Sequence, residues 1–160
     1  MRFPTALQIV LSVALAERDG FRCTSSSLAE GLSTNPSFIR KLLVPLTQEK
    51  IIAASVGKGG GLRLGRLSNE ITLCDVYRAA TSEKKIFSAR EDIPKRCRIS
   101  AHFNEFFDAI AAEAEKAMLN ALAERNVAGC LDEILMLGQM KQTTIVDYDF
   151  TVNLLQGQRR

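Results

Sequence analysis

Apolar residues first recur at helical spacing at Leu7, Val10, Leu11, Ala14 and Leu15, while Gln8 and Ser12 fall four apart on another face. This predicts an amphipathic helix from about Pro4 to Glu17, with Pro4 in the first turn, where a missing N–H costs little, and Gly20 as the stop. Thr24-Ser25-Ser26-Ser27 is a cluster of capping residues followed by Leu28, Ala29 and Leu32, which predicts a short second helix ending at Gly31. Asn35-Pro36 supplies a favoured N-cap and a favoured first helical residue. A third helix therefore starts there, with Phe38, Ile39, Leu42, Leu43 and Leu46 as its apolar stripe. Pro45 lies inside that stripe. It removes a hydrogen bond to the Lys41 carbonyl and crowds it, so the helix is expected to kink or end near Val44.

The pattern then changes period. Ile51–Val56 is short, apolar and partly β-branched, which predicts a strand. Gly57-Lys58-Gly59-Gly60-Gly61 can take the positive φ values of a hairpin turn, and Leu62-Arg63-Leu64 alternates as a return strand would. Thr72, with Asp75 three residues on, predicts the cap of a fourth helix. Residues 81–98 are charged and aperiodic, and read as a loop. From Ile99 a helical stripe of about 26 residues runs through Phe103, Phe106, Phe107, Ile110, Ala114, Ala117, Met118, Ala121 and Leu122. A further short helix is expected over Leu131–Met140. The order of 141–160 stays open, and no internal repeat is visible.

The fold expected is mainly α with a small β-hairpin wing: a winged helix-turn-helix plus a long dimerisation helix. A chain of 160 residues with 46% apolar and 24% charged residues is globular and buries a core without staples. Ala14-Leu15-Ala16 mimics a leader-peptide cleavage site, but the helical spacing before it favours an amphipathic helix of the fold over a signal peptide. No stretch reaches the roughly 20 apolar residues of a membrane span. A cytoplasmic protein with reduced cysteines and no membrane partner is expected.

Charge is uneven. Residues 1–66 carry nine Lys/Arg against four Asp/Glu, a net +5, whereas residues 67–160 carry twelve against fourteen, a net −2. The basic part coincides with the helices and wing, which points to an anionic partner there. A third helix entering a major groove N-terminus first would bring Asn35, Ser37, Phe38, Arg40 and Lys41 to double-stranded DNA. Arg and Lys meet guanine edges or phosphates, and Asn and Ser hydrogen-bond either. Lys58, Gly59, Gly60 and Arg63 on the wing combine cations with bare backbone that approaches a minor groove closely. The aromatic stripe of Ile99, Phe103, Phe106, Phe107, Ile110, Ala114 and Met118 is wider than so small a domain needs, and a second copy of the chain is the expected partner.

These residues resemble the Rrf-two family of bacterial transcription regulators. The resemblance is carried by Ser27-Leu28-Ala29-Glu30, by Asn35-Pro36-Ser37-Phe38-Ile39-Arg40-Lys41-Leu42-Leu43, by Gly59-Gly60-Gly61-Leu62-Arg63-Leu64 and by Glu70-Ile71-Thr72-Leu73-Cys74-Asp75-Val76-Tyr77-Arg78-Ala79. It is strong over residues 1–80 and weaker to about 135. It implies a homodimer whose long helices cross, two recognition helices on a palindrome, and repression or autoregulation as the usual outcome. Some members hold an iron–sulfur cluster through three cysteines in the loop before the long helix. Here that loop holds only Cys97, and one thiolate cannot hold a cluster. The chain is more similar to the cluster-less, YwnA-like branch, so no cofactor is expected. A second departure is Gly57, where many members have an arginine whose contact Lys58 would take over.

Cys97 lies in Lys95-Arg96-Cys97-Arg98, where cations favour the reactive thiolate, and is a candidate redox sensor. Cys23, Cys74 and Cys130 read as packing residues, and His102, the one histidine, as a helix-surface or interface residue. No C-x-x-C occurs, so no metal site is expected. Enzyme readings fail: there is no phosphate cradle of the G-x-x-x-x-G-K-[ST] type and no Ser/His/Asp set. Glu113 and Glu115, two apart, share no helix face. The division expected is a DNA-binding winged helix-turn-helix over 1–80, a signal-input loop over 81–98 and dimerisation helices over 99–140. Two alternatives are a cluster-bearing sensor with ligands from outside the loop, and a winged-helix module that binds a protein rather than DNA.

Overall fold

Helix α1 (Arg2–Arg18) is the hub of the core. Ala6, Ile9, Val10 and Val13 are fully buried, and Leu7, Leu11 and Leu15 pack half-buried beside them. Each large side chain of this set contributes about 1.5–3 kcal/mol by leaving water. Helix α3 (Pro36–Gln48), strand β2 (Leu62–Leu64), α4 (Leu73–Thr81) and α6 (Val127–Met140) pack on α1; α2 (Ser25–Gly31) packs on α3, β1 (Ile52–Ala54) pairs with β2, and α5 (Arg98–Ala123) packs on α4. This computed structural model describes residues 2–55, 57, 60–81, 86, 87, 89 and 97–140.

The helix starts follow the capping residues. Thr24 Oγ1 accepts from the Ser27 N–H at 3.1 Å while Ser27 Oγ accepts from the Thr24 N–H at 2.9 Å. Asn35 Oδ1 accepts from the Ser37 N–H at 2.8 Å. Thr72 and Asp75 exchange the same pair of bonds, each at 3.1 Å, at the start of α4. A side-chain cap of this kind stabilises a helix by about 1 kcal/mol.

The helix ends share one design that the sequence shows only once. After α1, Gly20 takes φ +74° and the Phe21 N–H donates to the Ala16 carbonyl at 2.7 Å. Ser33 (φ +46°) with Thr34 N–H to Ala29 ends α2, and Lys50 (φ +53°) with Ile51 N–H to Leu46 ends α3. All three are Schellman closures with a left-handed residue after the cap, a position that favours glycine.

Helix α3 runs through Pro45 to Gln48 instead of ending near Val44. The reason is local. The carbonyl that Pro45 leaves without its intrahelical partner belongs to Lys41, on the exposed face of the helix. Thr47 Oγ1 donates to the carbonyls of Leu43 and Val44, and the Schellman closure holds the last turn. The strand expected over Ile51–Val56 is shorter, since Ile51 is taken up by that closure and the ladder covers only Ile52↔Leu64, Ala53↔Arg63 and Ala54↔Leu62.

Helix α6 begins at Val127, four residues before the expected Leu131, because its first turn is stitched to the head, the helices and hairpin of residues 2–81. The Leu73 N–H donates to the Arg125 carbonyl and the Val127 N–H to the Ile71 carbonyl, both at 2.9 Å. Val127 and Leu131 consequently join the core around α1. The far end of α5 is therefore fixed to the head by backbone hydrogen bonds, while its flank packs on α4.

Candidate nucleic-acid interface

Helix α3 buries Ile39, Leu42, Leu43 and Leu46 against the core. The opposite face is then fixed by the 100° step of the helix: Ser37, Arg40, Lys41, Val44 and Gln48 form one exposed stripe. Asn35 stands at its head as the N-cap, with Oδ1 committed to the Ser37 N–H. Phe38 does not join the stripe; it lies on the flank, half-buried against the core.

Beside the stripe, between α3 and the wing, runs an open groove of about 450 Å³. Arg22, Thr24 and Ser25 line one side and Arg40, Val44 and Thr47 the other, with Ala54 and Leu62 of the hairpin as apolar wall. Arg22 is the member that sequence reasoning missed. Its Nε donates to the Gly60 carbonyl and so ties the base of the wing to the α1–α2 connection. The signal was a cation just ahead of the cap cluster, counted only in the net charge.

The wing is held close to that connection. The Leu62 N–H donates to the Cys23 carbonyl at 2.8 Å, and a Cβ on Gly61 would meet the same oxygen at 2.7 Å. Gly57 has φ +103°, so the glycine-rich turn uses its conformational freedom at that position. Arg63 is exposed but does not line the α3–wing groove; it faces a separate hollow with Glu17, Phe21 and Arg22. Gly60 is tied to Arg22, and Lys58 and Gly59 lie outside the described residues.

On α5, Ile99 is 76% exposed, Phe106 63% and Ile110 47%, and Phe103 and Ala114 are exposed beside them. Met118 is half-buried. Phe107 is half-buried and stacks on Phe103 with ring centroids 5.8 Å apart. It lies on the same flank as Ala111, the buried residue of this helix. The helix begins at Arg98, one residue before the sequence expectation, because Cys97 is its N-cap. The Cys97 Sγ accepts from the Ser100 N–H at 3.5 Å and Ser100 Oγ accepts from the Cys97 N–H at 3.1 Å.

The four cysteines sit in unlike environments. Cys97 is exposed, and hydrogen bonds from the Ser100 side chain and backbone lower its pKa. Cys23 is buried, and desolvation pushes its thiol up to about 11. Cys74 and Cys130 are buried in α4 and α6. Among the described residues no three His, Cys, Asp or Glu side chains converge on a metal-sized site. An iron–sulfur group does not fit this donor set: one exposed thiol is set against three separately packed ones.

A basic, exposed recognition face, a hairpin wing and a groove between them define a winged-helix DNA-binding regulator. The chain belongs to the Rrf2 family, described as iron-dependent transcriptional regulators, whose family model matches residues 1–133. It is 23% identical over 133 residues to YwnA of Bacillus subtilis strain 168, named as an HTH-type transcriptional regulator, covering 83% of this chain and 96% of that protein. A solved transcriptional-regulator structure from Lactobacillus plantarum superposes with a TM-score of 0.71 at 22% identity, over 88% of this chain and 94% of its own. CymR of Bacillus subtilis, described as its global cysteine regulator, superposes at 0.60 with 16% identity, over 83% and 95% of the two chains. The protein is thus a transcriptional regulator and not an enzyme. Among the described residues no helix is long and apolar enough to cross a membrane.

Proposed function

We propose that two copies of the chain pair through α5 and act as a cytosolic repressor on a palindromic operator. The observation that carries this reading is the continuity of the Ser37/Arg40/Lys41 stripe with the groove holding Arg22. With α3 in a major groove and the wing in the adjacent minor groove, the sugar-phosphate strand between them runs along the α3–wing groove. Arg22 meets that strand, and Thr24 and Ser25 offer hydroxyls to it, while Arg40 and Val44 on the α3 side face the base edges of the major groove. The exposed stripe of Ile99, Phe106 and Ile110 supports pairing, because an apolar band of that size on a rod is covered in stable proteins. In this division residues 1–80 read DNA, 81–98 receive the signal, and the helices from 99 hold the dimer.

Cys97 is the proposed input. Its thiolate is favoured by the Ser100 bonds and by the N-terminus of a 26-residue helix. Peroxide converts the thiolate to a sulfenic acid by transfer of one oxygen, and leaves as water after taking a proton. The oxidised cap then alters the start of α5, whose other end is bonded to the head.

Selection of bound duplexes from a random pool, with reduced and oxidised protein, tests the whole reading. A palindrome, weaker binding after peroxide, and a Cys97→Ser variant indifferent to peroxide are expected. A selected site without symmetry overturns the dimeric reading; a Cys97→Ser variant that responds like the parent overturns the switch. Repression is checked by a reporter placed behind the selected operator, which the protein must silence.

A further inference from the structure

We infer that Val44 reads the 5-methyl group of thymine, an assignment that rests on α3 being the DNA-reading helix. Of the five residues in the exposed stripe, Ser37, Arg40, Lys41 and Gln48 carry hydrogen-bonding groups and Val44 carries none. Val44 is 55% exposed, whereas its neighbour Leu43 is 9%. It lies three residues after Lys41 and four after Arg40, so the three side chains share one patch of helix surface. Single exposed apolar residues are common on proteins. This one differs in its surroundings, because it continues into the apolar wall that Leu43, Ala54 and Leu62 give to the α3–wing groove.

The major groove of unmodified DNA offers one apolar group, the thymine C5-methyl; the remaining edge groups are donors and acceptors. A valine laid over a polar edge would strip its water and return no hydrogen bond. Valine in a helix is also held to essentially one χ1 rotamer, so its methyls present a fixed surface. Under Val44 the favoured base is therefore thymine, next to the base pair faced by Arg40 or Lys41.

The test starts from a duplex selected by the wild-type protein. Each thymine in turn is replaced by deoxyuridine, which keeps every donor and acceptor and loses only the methyl. Affinities are read by fluorescence anisotropy at one salt concentration. At one position per half-site the wild type loses roughly fourfold, the weight of one buried methyl. Val44→Ala is indifferent to deoxyuridine at that position while still binding with the wild-type salt dependence. A wild type indifferent to every replacement overturns the assignment, as does a Val44→Ala variant that loses as much as the wild type. If the wild type selects no duplex at all, the DNA-reading role itself fails, and that is seen before any deoxyuridine is introduced.

Discussion

Replacing Phe106 with alanine removes the largest exposed side chain at the middle of the α5 stripe. Phe106 is 63% exposed, and a phenylalanine offers about 200 Å² to burial. Roughly 125 Å² per protomer is then available to a partner, worth about 3 kcal/mol at ~25 cal/mol/Å². A two-fold dimer counts the residue twice, for ~6 kcal/mol at most. Association never recovers that in full. At half efficiency the loss is ~3 kcal/mol, or about a hundredfold in the dimer Kd. Sedimentation equilibrium over a concentration series reads that shift. Phe106 is absent from the core around α1, so Phe106→Ala melts like the parent once both are monomeric. Asp108, exposed on the opposite side of α5, provides the control: Asp108→Ala leaves Kd unchanged. An unchanged Kd in Phe106→Ala, or a wild type that stays monomeric at high concentration, refutes the reasoning.

Other outcomes follow from local geometry. Gly65→Ala should cost about 2 kcal/mol in urea denaturation, since its Cβ would meet the Lys50 carbonyl oxygen at 2.3 Å; an unchanged midpoint contradicts this. Lys50→Gly should gain about 0.5–1 kcal/mol by relieving φ +53° in the α3 closure, measured the same way. Iodoacetamide should modify Cys97 first, with a pH midpoint below that of a free cysteine, and spare Cys23 until the protein unfolds. Burial raises the folded-state pKa of Cys23, so its contribution to stability is intact below pH ~9 and lost as pH rises toward about 11. Cys23→Ala should remove that slope from a denaturation series.

What could be read from the chain followed from which signals are local. Thr24, Asn35 and Thr72 cap the next turn, and the bonds they make lie within three residues, so their sequence neighbours suffice to predict α2, α3 and α4. The glycine wing was legible for the same reason. Ser33 and Lys50 were not, because their left-handed backbone belongs to Schellman closures that neither residue type announces. The helix end expected near Val44 did not materialise, because the proline's orphaned carbonyl falls at exposed Lys41 and the Thr47 bonds and the closure at Lys50 hold the last turn. The early start of α6 depends on Ile71 and Leu73, more than fifty residues away. At the candidate interface, the exposure of Ser37, Arg40 and Lys41 on one face of α3 was legible from helix period alone. Arg22 was not, since its role comes from a bond to Gly60 across the fold. Phe38 sits half-buried on the flank of α3, a placement that depends on packing against the core and not on helix period.

The central claim is that α3 and its neighbouring groove hold a duplex through Arg40, Lys41 and Arg22. A titration of affinity against salt, for the wild type and for Arg40→Ala/Lys41→Ala on the selected operator, tests it most directly. The wild type should weaken linearly in log–log form, with a slope of about −0.9 for each phosphate neutralised. The double variant should bind at least tenfold more weakly and with a shallower slope. A double variant that matches the parent in affinity and slope, or a wild type whose affinity ignores salt, would contradict the account.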